Sequence, residues 1–183
     1  MRIIGGAFRG RILSTPKGEQ TRPTSSLLRK ALFDICSQRL EDAHFLDLFA
    51  GSGAMGIEAI SRGAIHSTFV DKSPLACKTI TKNIELLGLQ EQSTILCVPV
   101  ERAIKMLQGK KKAFQLIYID PPYGKENLAS LVEQLLSAHL LAKDGRIFIE
   151  ELKKNAEVLE LHGVKLVEKR RYGDTLLLEY EAP

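Results

Sequence analysis

The sequence predicts an α/β protein: a mostly parallel, doubly wound sheet ending in an antiparallel hairpin, with a small basic hairpin-plus-helix extension at the N-terminus. Three observations carry this reading. From His44 onward, short apolar runs alternate with helical patterns, as right-handed β-α-β crossovers require. Near the end, Val164 to Arg171 and Thr175 to Tyr180 are joined at Tyr172-Gly173-Asp174 with no room for a helix, so they pair antiparallel at one end of the sheet. At the start, residues 1–30 hold seven basic residues (Arg2, Arg9, Arg11, Lys17, Arg22, Arg29, Lys30) and one acid, Glu19.

The elements follow in order. Arg2 to Leu13 alternates loosely around Gly5-Gly6 and Gly10, which suggests a short hairpin with a basic face. A loop runs to Arg22-Pro23-Thr24, where Thr24 or Ser25 suits the N-cap of a helix reaching about Arg39, with Leu28, Leu32 and Ile35 as its apolar stripe. Strands are predicted over 44–50, 66–71, 94–99, 114–120 and 146–151, and helices near 54–62, 74–87, 101–108 and 126–141. Residues 1–40 thus read as an extension packed on a domain spanning 41–183. Lys110-Lys111-Lys112 reads as a solvated connection.

Composition agrees with one enzyme-sized core: 183 residues, 44% of them hydrophobic. No run of 18 apolar residues appears, so no membrane span is expected, and the N-terminus lacks the apolar stretch of a secretory signal. Cys36, Cys77 and Cys97 are odd in number and widely spaced, which points to neither a zinc site nor a disulfide framework. Cys36 and Cys77 fall in predicted helices and Cys97 in a predicted strand, and all three read as small core residues. The four histidines form no metal pattern. A reduced cytoplasm is the expected setting. The net charge of +4 is unevenly held: the first 30 residues carry +6 and the other 153 carry −2. Such asymmetry is the footprint of a nucleic-acid partner.

Two motifs carry chemistry. Asp120-Pro121-Pro122-Tyr123 ends the apolar strand Phe114 to Ile119, where an open α/β sheet places its ligands. The ring suits stacking on a nucleobase, while Asp120 and the Pro121 carbonyl can accept hydrogen bonds from an exocyclic amine. Alone, these four residues would read as an Asp-Pro turn. The second motif, Asp47-Leu48-Phe49-Ala50-Gly51-Ser52-Gly53-Ala54-Met55-Gly56, follows the strand from His44 and opens a helix. Gly51 and Gly53 allow a tight turn and close backbone approach. It is not the dinucleotide fingerprint, because Phe49 stands where a glycine is needed, nor a phosphate loop, because no Lys-Ser/Thr pair closes it. The acid before the turn suits an ammonium-bearing ligand, and S-adenosylmethionine carries an ammonium beside its sulfonium.

Together the two motifs resemble the amino-directed class of S-adenosylmethionine-dependent methyltransferases. The resemblance implies a Rossmann-like class I methyltransferase sheet of seven strands, which the terminal hairpin fits. It narrows at both ends. Arg2-Ile3-Ile4-Gly5-Gly6, Arg9-Gly10-Arg11, Arg22-Pro23-Thr24-Ser25 and Ala31-Leu32-Phe33, with Arg170-Arg171-Tyr172-Gly173-Asp174 near the C-terminus, resemble the bacterial 16S rRNA (guanine-N2) methyltransferase family called RsmD. Ser26-Leu27 and Val100-Glu101 depart from that family's usual residues. The resemblance implies methylation of a guanine N2 in small-subunit rRNA, on assembled or nearly assembled subunits. A monomer without a metal is expected.

The roles follow. Asp47 should hold the cofactor's amino group, directly or through water. Phe49, Gly51, Ser52 and Gly53 should form the loop against it. Asp71, at the end of the second strand, should hold the ribose hydroxyls, and Glu101 should accept from adenine N6. Helix capping is the simpler alternative for each acid. Asp120, with Pro121 and Pro122, should localise the lone pair of the target amine, and Tyr123 should stack on the flipped base. An acceptor-only carboxylate fits guanine's adjacent N1–H and N2 donors better than adenine's mixed edge. Arg2, Arg9, Arg11 and Arg22 should meet RNA. Competing readings are a DNA adenine or cytosine N-methyltransferase, a protein glutamine N-methyltransferase, and a non-catalytic RNA-binding assembly factor.

Overall fold

A computed structural model describes residues 1–16, 26–109, 112–122, 127–152 and 161–182. Among the described residues seven strands form one sheet: β1 (His44–Leu48), β2 (His66–Val70), β3 (Ser93–Leu96), β4 (Phe114–Ile119), β5 (Leu141–Leu152), β6 (Lys165–Tyr172) and β7 (Thr175–Glu181), in spatial order β3-β2-β1-β4-β5-β7-β6. The first five run parallel, and β7 lies antiparallel between β5 and β6. The predicted hairpin therefore closes one end of a Rossmann-like sheet.

The helices are α1 (Ser26–Ile35), α2 (Ala54–Ser61), α3 (Pro74–Leu87), α4 (Val100–Gln108) and α5 (Leu128–Ser137). Strand residues alternate between two faces. Phe45, Leu116, Tyr118, Phe148 and Leu177 pack under α1 and α2, and Phe69 under α2 and α3. Leu46, Leu48, Ile117, Ile119 and Ile149 pack under α4 and α5 on the other face. The ends of α3 show why it starts and stops. Pro74 occupies its first turn, Ser73 Oγ accepts from Ala76 N at 3.4 Å, and Gly88 closes it at φ 71°.

Gly56 lets α2 pack against β2 without a side chain between them: a Cβ there would sit 2.3 Å from Cε1 of the fully buried Phe69. Alanine there gains roughly 1 kcal/mol of helix propensity, but overpacking of this kind costs about 1–3 kcal/mol. Gly56→Ala is expected to lower the urea midpoint measurably. An unchanged midpoint would mean that α2 slides freely on the sheet.

Three differences from the sequence expectation have local causes. Helix α5 stops at Ser137 rather than near 141, because His139 turns left-handed (φ 53°) and Leu140 accepts from Phe114 N at 2.7 Å. Strand β5 consequently starts at Leu141, with a register break against β4 between Phe114 and Leu116. Strand β3 ends at Leu96, so Cys97 lies beyond it and is exposed rather than buried in the core. The expected cap at Thr24 or Ser25 lies outside the described residues.

The N-terminal segment folds as the expected hairpin. Arg2 bridges Ile12 antiparallel, with Ile3 N donating to Arg11 O at 3.0 Å and Leu13 N to Met1 O at 2.7 Å. Ile3 and Leu13 are buried against the core under α2 and α3. Gly6 (φ 74°) packs so tightly on the end of α2 that a Cβ would fall 1.7 Å from Ser61 O.

Candidate active site

The order of the strands reverses at β1. From β1 the chain steps outward to β2 and β3, then returns through α4 to β4 on the other side of β1. Such a switch point opens a crevice beyond the carboxyl ends of the two central strands. The ends of the strands are laced together there: Ala50 N donates to Val70 O at 3.0 Å, Asp71 N to Leu96 O at 3.3 Å, and Asp120 N to Leu48 O at 3.4 Å. Asp47, Asp71 and Asp120, far apart in sequence, are thus brought to one rim.

The glycine loop owes its shape to three left-handed residues in five: Phe49 (φ 61°), Gly51 (φ 55°) and Gly53 (φ 75°). A Cβ at Gly53 would press on Ile80 Cγ1 at 3.1 Å, whereas one at Gly51 would meet nothing within 4 Å. Gly51 is therefore needed for its backbone angle, and its outer side is open to an approaching ligand. Phe49 packs against the core on the α4 and α5 face.

Asp47 is 1% exposed, and its Oδ2 accepts from Gly56 N at 3.0 Å. Burial pushes its carboxyl up to about 8, against the pull of the Gly56 N–H, and the nearby Asp71 charge pushes the same way. Its carboxylate therefore also serves as a tie between β1 and the first turn of α2. Asp71 is half-buried: Oδ2 accepts from Gly51 N and Oδ1 from Ser73 N, each at 2.8 Å. Each oxygen keeps a lone pair for a further donor. Ser52 stands between the two glycines, with its carbonyl accepting from Asn83 Nδ2 at 3.0 Å.

Glu101 is exposed in the first turn of α4. Asp120 is half-buried, Pro121 is buried and Pro122 exposed. Tyr123 and Arg22 lie outside the described residues. Arg2, Arg9 and Arg11 are exposed on the N-terminal hairpin. Arg29, counted among the basic residues of the first thirty, is different. It is 2% exposed, donates to Arg2 O at 2.7 Å and lies 3.8 Å from Glu58, so its charge is used inside the protein.

Two residues escaped the sequence reading. Glu58, fully buried, accepts from Ile4 N (2.8 Å), Gly5 N (2.7 Å) and Arg62 Nε (2.9 Å). Asn83, also fully buried, touches both the hairpin and the glycine loop. The available signal was a polar residue inside an apolar stripe: Glu58 beside Ile57 and Ala59, and Asn83 between Ile80 and Leu87. Among the described residues no cluster of His, Cys, Asp and Glu suits a metal ion, and no helix is long and apolar enough to cross a membrane.

Comparison with known proteins bears on the family and the fold. The family model described as conserved hypothetical protein 95 matches residues 1–181. The ribosomal RNA small subunit methyltransferase D of Escherichia coli K12 is 32% identical over 155 residues, covering 85% of this chain and 76% of the relative. The protein of the same name from Haemophilus influenzae is 29% identical over 174 residues, covering 94% and 89%. A solved structure from Thermus thermophilus, titled only as a hypothetical protein, superposes with a TM-score of 0.83 at 34% identity and covers 98% of both chains.

Proposed function

The chain belongs to the conserved hypothetical protein 95 family, the RsmD-type S-adenosylmethionine-dependent rRNA methyltransferases, and from that premise we propose that it methylates the exocyclic N2 of one guanine in 16S rRNA, on assembled or nearly assembled small subunits. The observation that carries the proposal is the joining of Asp120 to the end of β1 through Leu48 O. That bond holds the end of β4 beside a glycine loop whose Gly51 N–H donates to Asp71, and it supports our assignment of the Asp120 carboxylate to the base.

S-adenosylmethionine supplies a methyl group activated on a sulfonium. The residues of this chain do the rest by positioning and electrostatics. The loop of Phe49, Gly51, Ser52 and Gly53 seats the methionine portion, with the Asp47 carboxylate next to its ammonium. Asp71 takes the ribose hydroxyls on its remaining lone pairs, and Glu101 accepts from the adenine amine. Across the crevice, the Asp120 carboxylate and the Pro121 carbonyl accept from the target amine, with Pro122 stiffening the turn. This localises a lone pair otherwise delocalised into the ring. Tyr123 stacks on the flipped base, which leaves its helix at a cost of a few kcal/mol. Guanine is favoured over adenine because ionised Asp120 only accepts, and guanine offers two adjacent donors.

Residues 1–40 act as the RNA-binding extension of a catalytic domain at 41–183, with Arg2, Arg9, Arg11 and Arg22 meeting phosphates, and the protein works as a monomer. Neutralising Arg9 and Arg11 together should weaken binding to RNA and lower its salt slope by about 0.7–0.9 for each phosphate no longer neutralised, with S-adenosylhomocysteine affinity unchanged. Equal loss of both affinities would point to misfolding.

The test of the function is transfer of labelled methyl to small subunits that lack the modification, followed by digestion to nucleosides. Label in N2-methylguanosine is the expected result. Label in an adenine or cytosine product would overturn the base assignment. No transfer to subunits, despite cofactor binding, would overturn the rRNA substrate.

A further inference from the structure

The N-terminal hairpin is fastened to the domain at several points, but one of them also reaches the glycine loop. Asn83 of α3 is fully buried and uses its whole amide. Its Oδ1 accepts from Ser14 N at 2.8 Å, and its Nδ2 donates to Ser14 O and to Ser52 O, each at 3.0 Å. One N–H and two carbonyls surround the amide, so only an oxygen facing Ser14 N and a nitrogen facing the two carbonyls satisfies all three. Glu58, another buried anchor of the hairpin, takes Ile4 N and Gly5 N. Ser61 donates to Gly5 O at 2.6 Å and accepts from Phe8 N at 3.0 Å.

We propose that Asn83 is a positioning residue that couples the cofactor loop to the N-terminal hairpin, so that each responds to what the other binds. The proposal rests on the reading of Gly51-Ser52-Gly53 as the cofactor's seat. The Ser52 peptide lies between two glycines, both at positive φ, the most easily rotated backbone in the loop. Asn83 pins its carbonyl. A cofactor that fixes Ser52 fixes the Asn83 amide, and with it both backbone groups of Ser14. The same bonds act in reverse: RNA that holds the hairpin steadies the loop and raises cofactor affinity, since coupling between two sites is reciprocal.

The test needs neither RNA nor turnover. Amide hydrogen exchange is followed at Ser14 in the full-length protein, with and without saturating S-adenosylhomocysteine, whose binding is confirmed by calorimetry. In the wild type, the ligand should slow exchange at Ser14 by about fivefold or more, the lower end of ordinary coupling. In Asn83→Leu, which keeps the side chain's volume but neither accepts from Ser14 N nor donates to Ser14 O and Ser52 O, that ratio should fall to near one. In Ser61→Ala, which loosens the hairpin away from the loop, the ratio should persist. A merely structural Asn83 would leave the bound-to-free ratio unmoved while raising exchange throughout. Confirmed binding with no slowing at Ser14 in the wild type, a result independent of any variant's folding, would overturn the coupling and leave the rRNA assignment standing. Failure of the ligand to bind at all would strike the reading of the loop, and the coupling with it.

Discussion

Asp120→Ala is expected to slow methyl transfer by about 10²-fold or more, the scale of removing one preorganised electrostatic contact, while S-adenosylhomocysteine binds as before. The asymmetry follows from where Asp120 stands. It caps β4, across the switch point from the loop and Asp71, and its backbone N–H is already committed to Leu48 O. Truncation to alanine keeps that backbone bond and removes only the carboxylate. The loss should therefore fall on kcat more than on the cofactor's KM. Asp120→Asn separates charge from shape, because the amide still accepts with one oxygen but opposes guanine's second donor with its NH₂. Single-turnover transfer to small subunits measures both variants. Wild-type rates in Asp120→Ala would remove the residue from the chemistry and leave the Pro121 carbonyl as the sole acceptor.

The second large effect is on stability, and it belongs to Asp47. Burial holds its carboxyl at about 8, raised from its ordinary value near 3.8. In the folded protein it keeps its proton across a range where the unfolded chain has lost it. The folded state thus binds more protons at this site between about pH 4 and pH 8, so the stability Asp47 contributes is fully present below about pH 4 and is lost as pH rises through that window. At about 1.4 kcal/mol per unit, the loss reaches several kcal/mol in the ligand-free protein. Asp47→Asn keeps an acceptor for Gly56 N and carries no charge at any pH. Urea denaturation at several pH values should show a falling stability for the wild type and a flatter line for the variant, the two diverging most near pH 8. Parallel lines would mean that Asp47 ionises freely where it sits. Saturating S-adenosylmethionine should lessen the wild-type slope, because a cation beside the carboxylate favours its ionised form.

Much of this site could be read from the chain alone, for a physical reason. Asp47 stands one residue from the end of β1, Asp71 and Asp120 each follow an apolar strand, and in a parallel sheet the ends of strands are the rim of the crevice. Strand pattern and site position are then one observation. Helix α3 was equally plain, with Ser73 and Pro74 at its start and Gly88 at its end. The boundary between α5 and β5 was not. Leu140 and Leu141 satisfy helical and extended periods alike, and the residue that turns the chain is His139, which carries no turn signature. Nor could periodicity show that Arg29 is buried beneath the hairpin or that Cys97 lies outside the core. Both depend on which elements meet in space. Glu58 and Asn83 were visible as oddities in apolar stripes, but only the fold shows what each one holds.

The docking of the hairpin also bears on the order in which the molecule can be made. Synthesis runs from the N-terminus, so Ser14 leaves the ribosome 69 residues ahead of Asn83, and Ile4 leaves 54 residues ahead of Glu58. Until α2 and α3 have emerged, Ile3 and Leu13 lack the apolar surface they cover, and the backbone N–H groups of Ile4, Gly5 and Ser14 have only water for partners. The hairpin is thus made before the elements on which it docks. Its exposed arginines are free to meet polyanions throughout that interval, before there is a crevice to deliver them to.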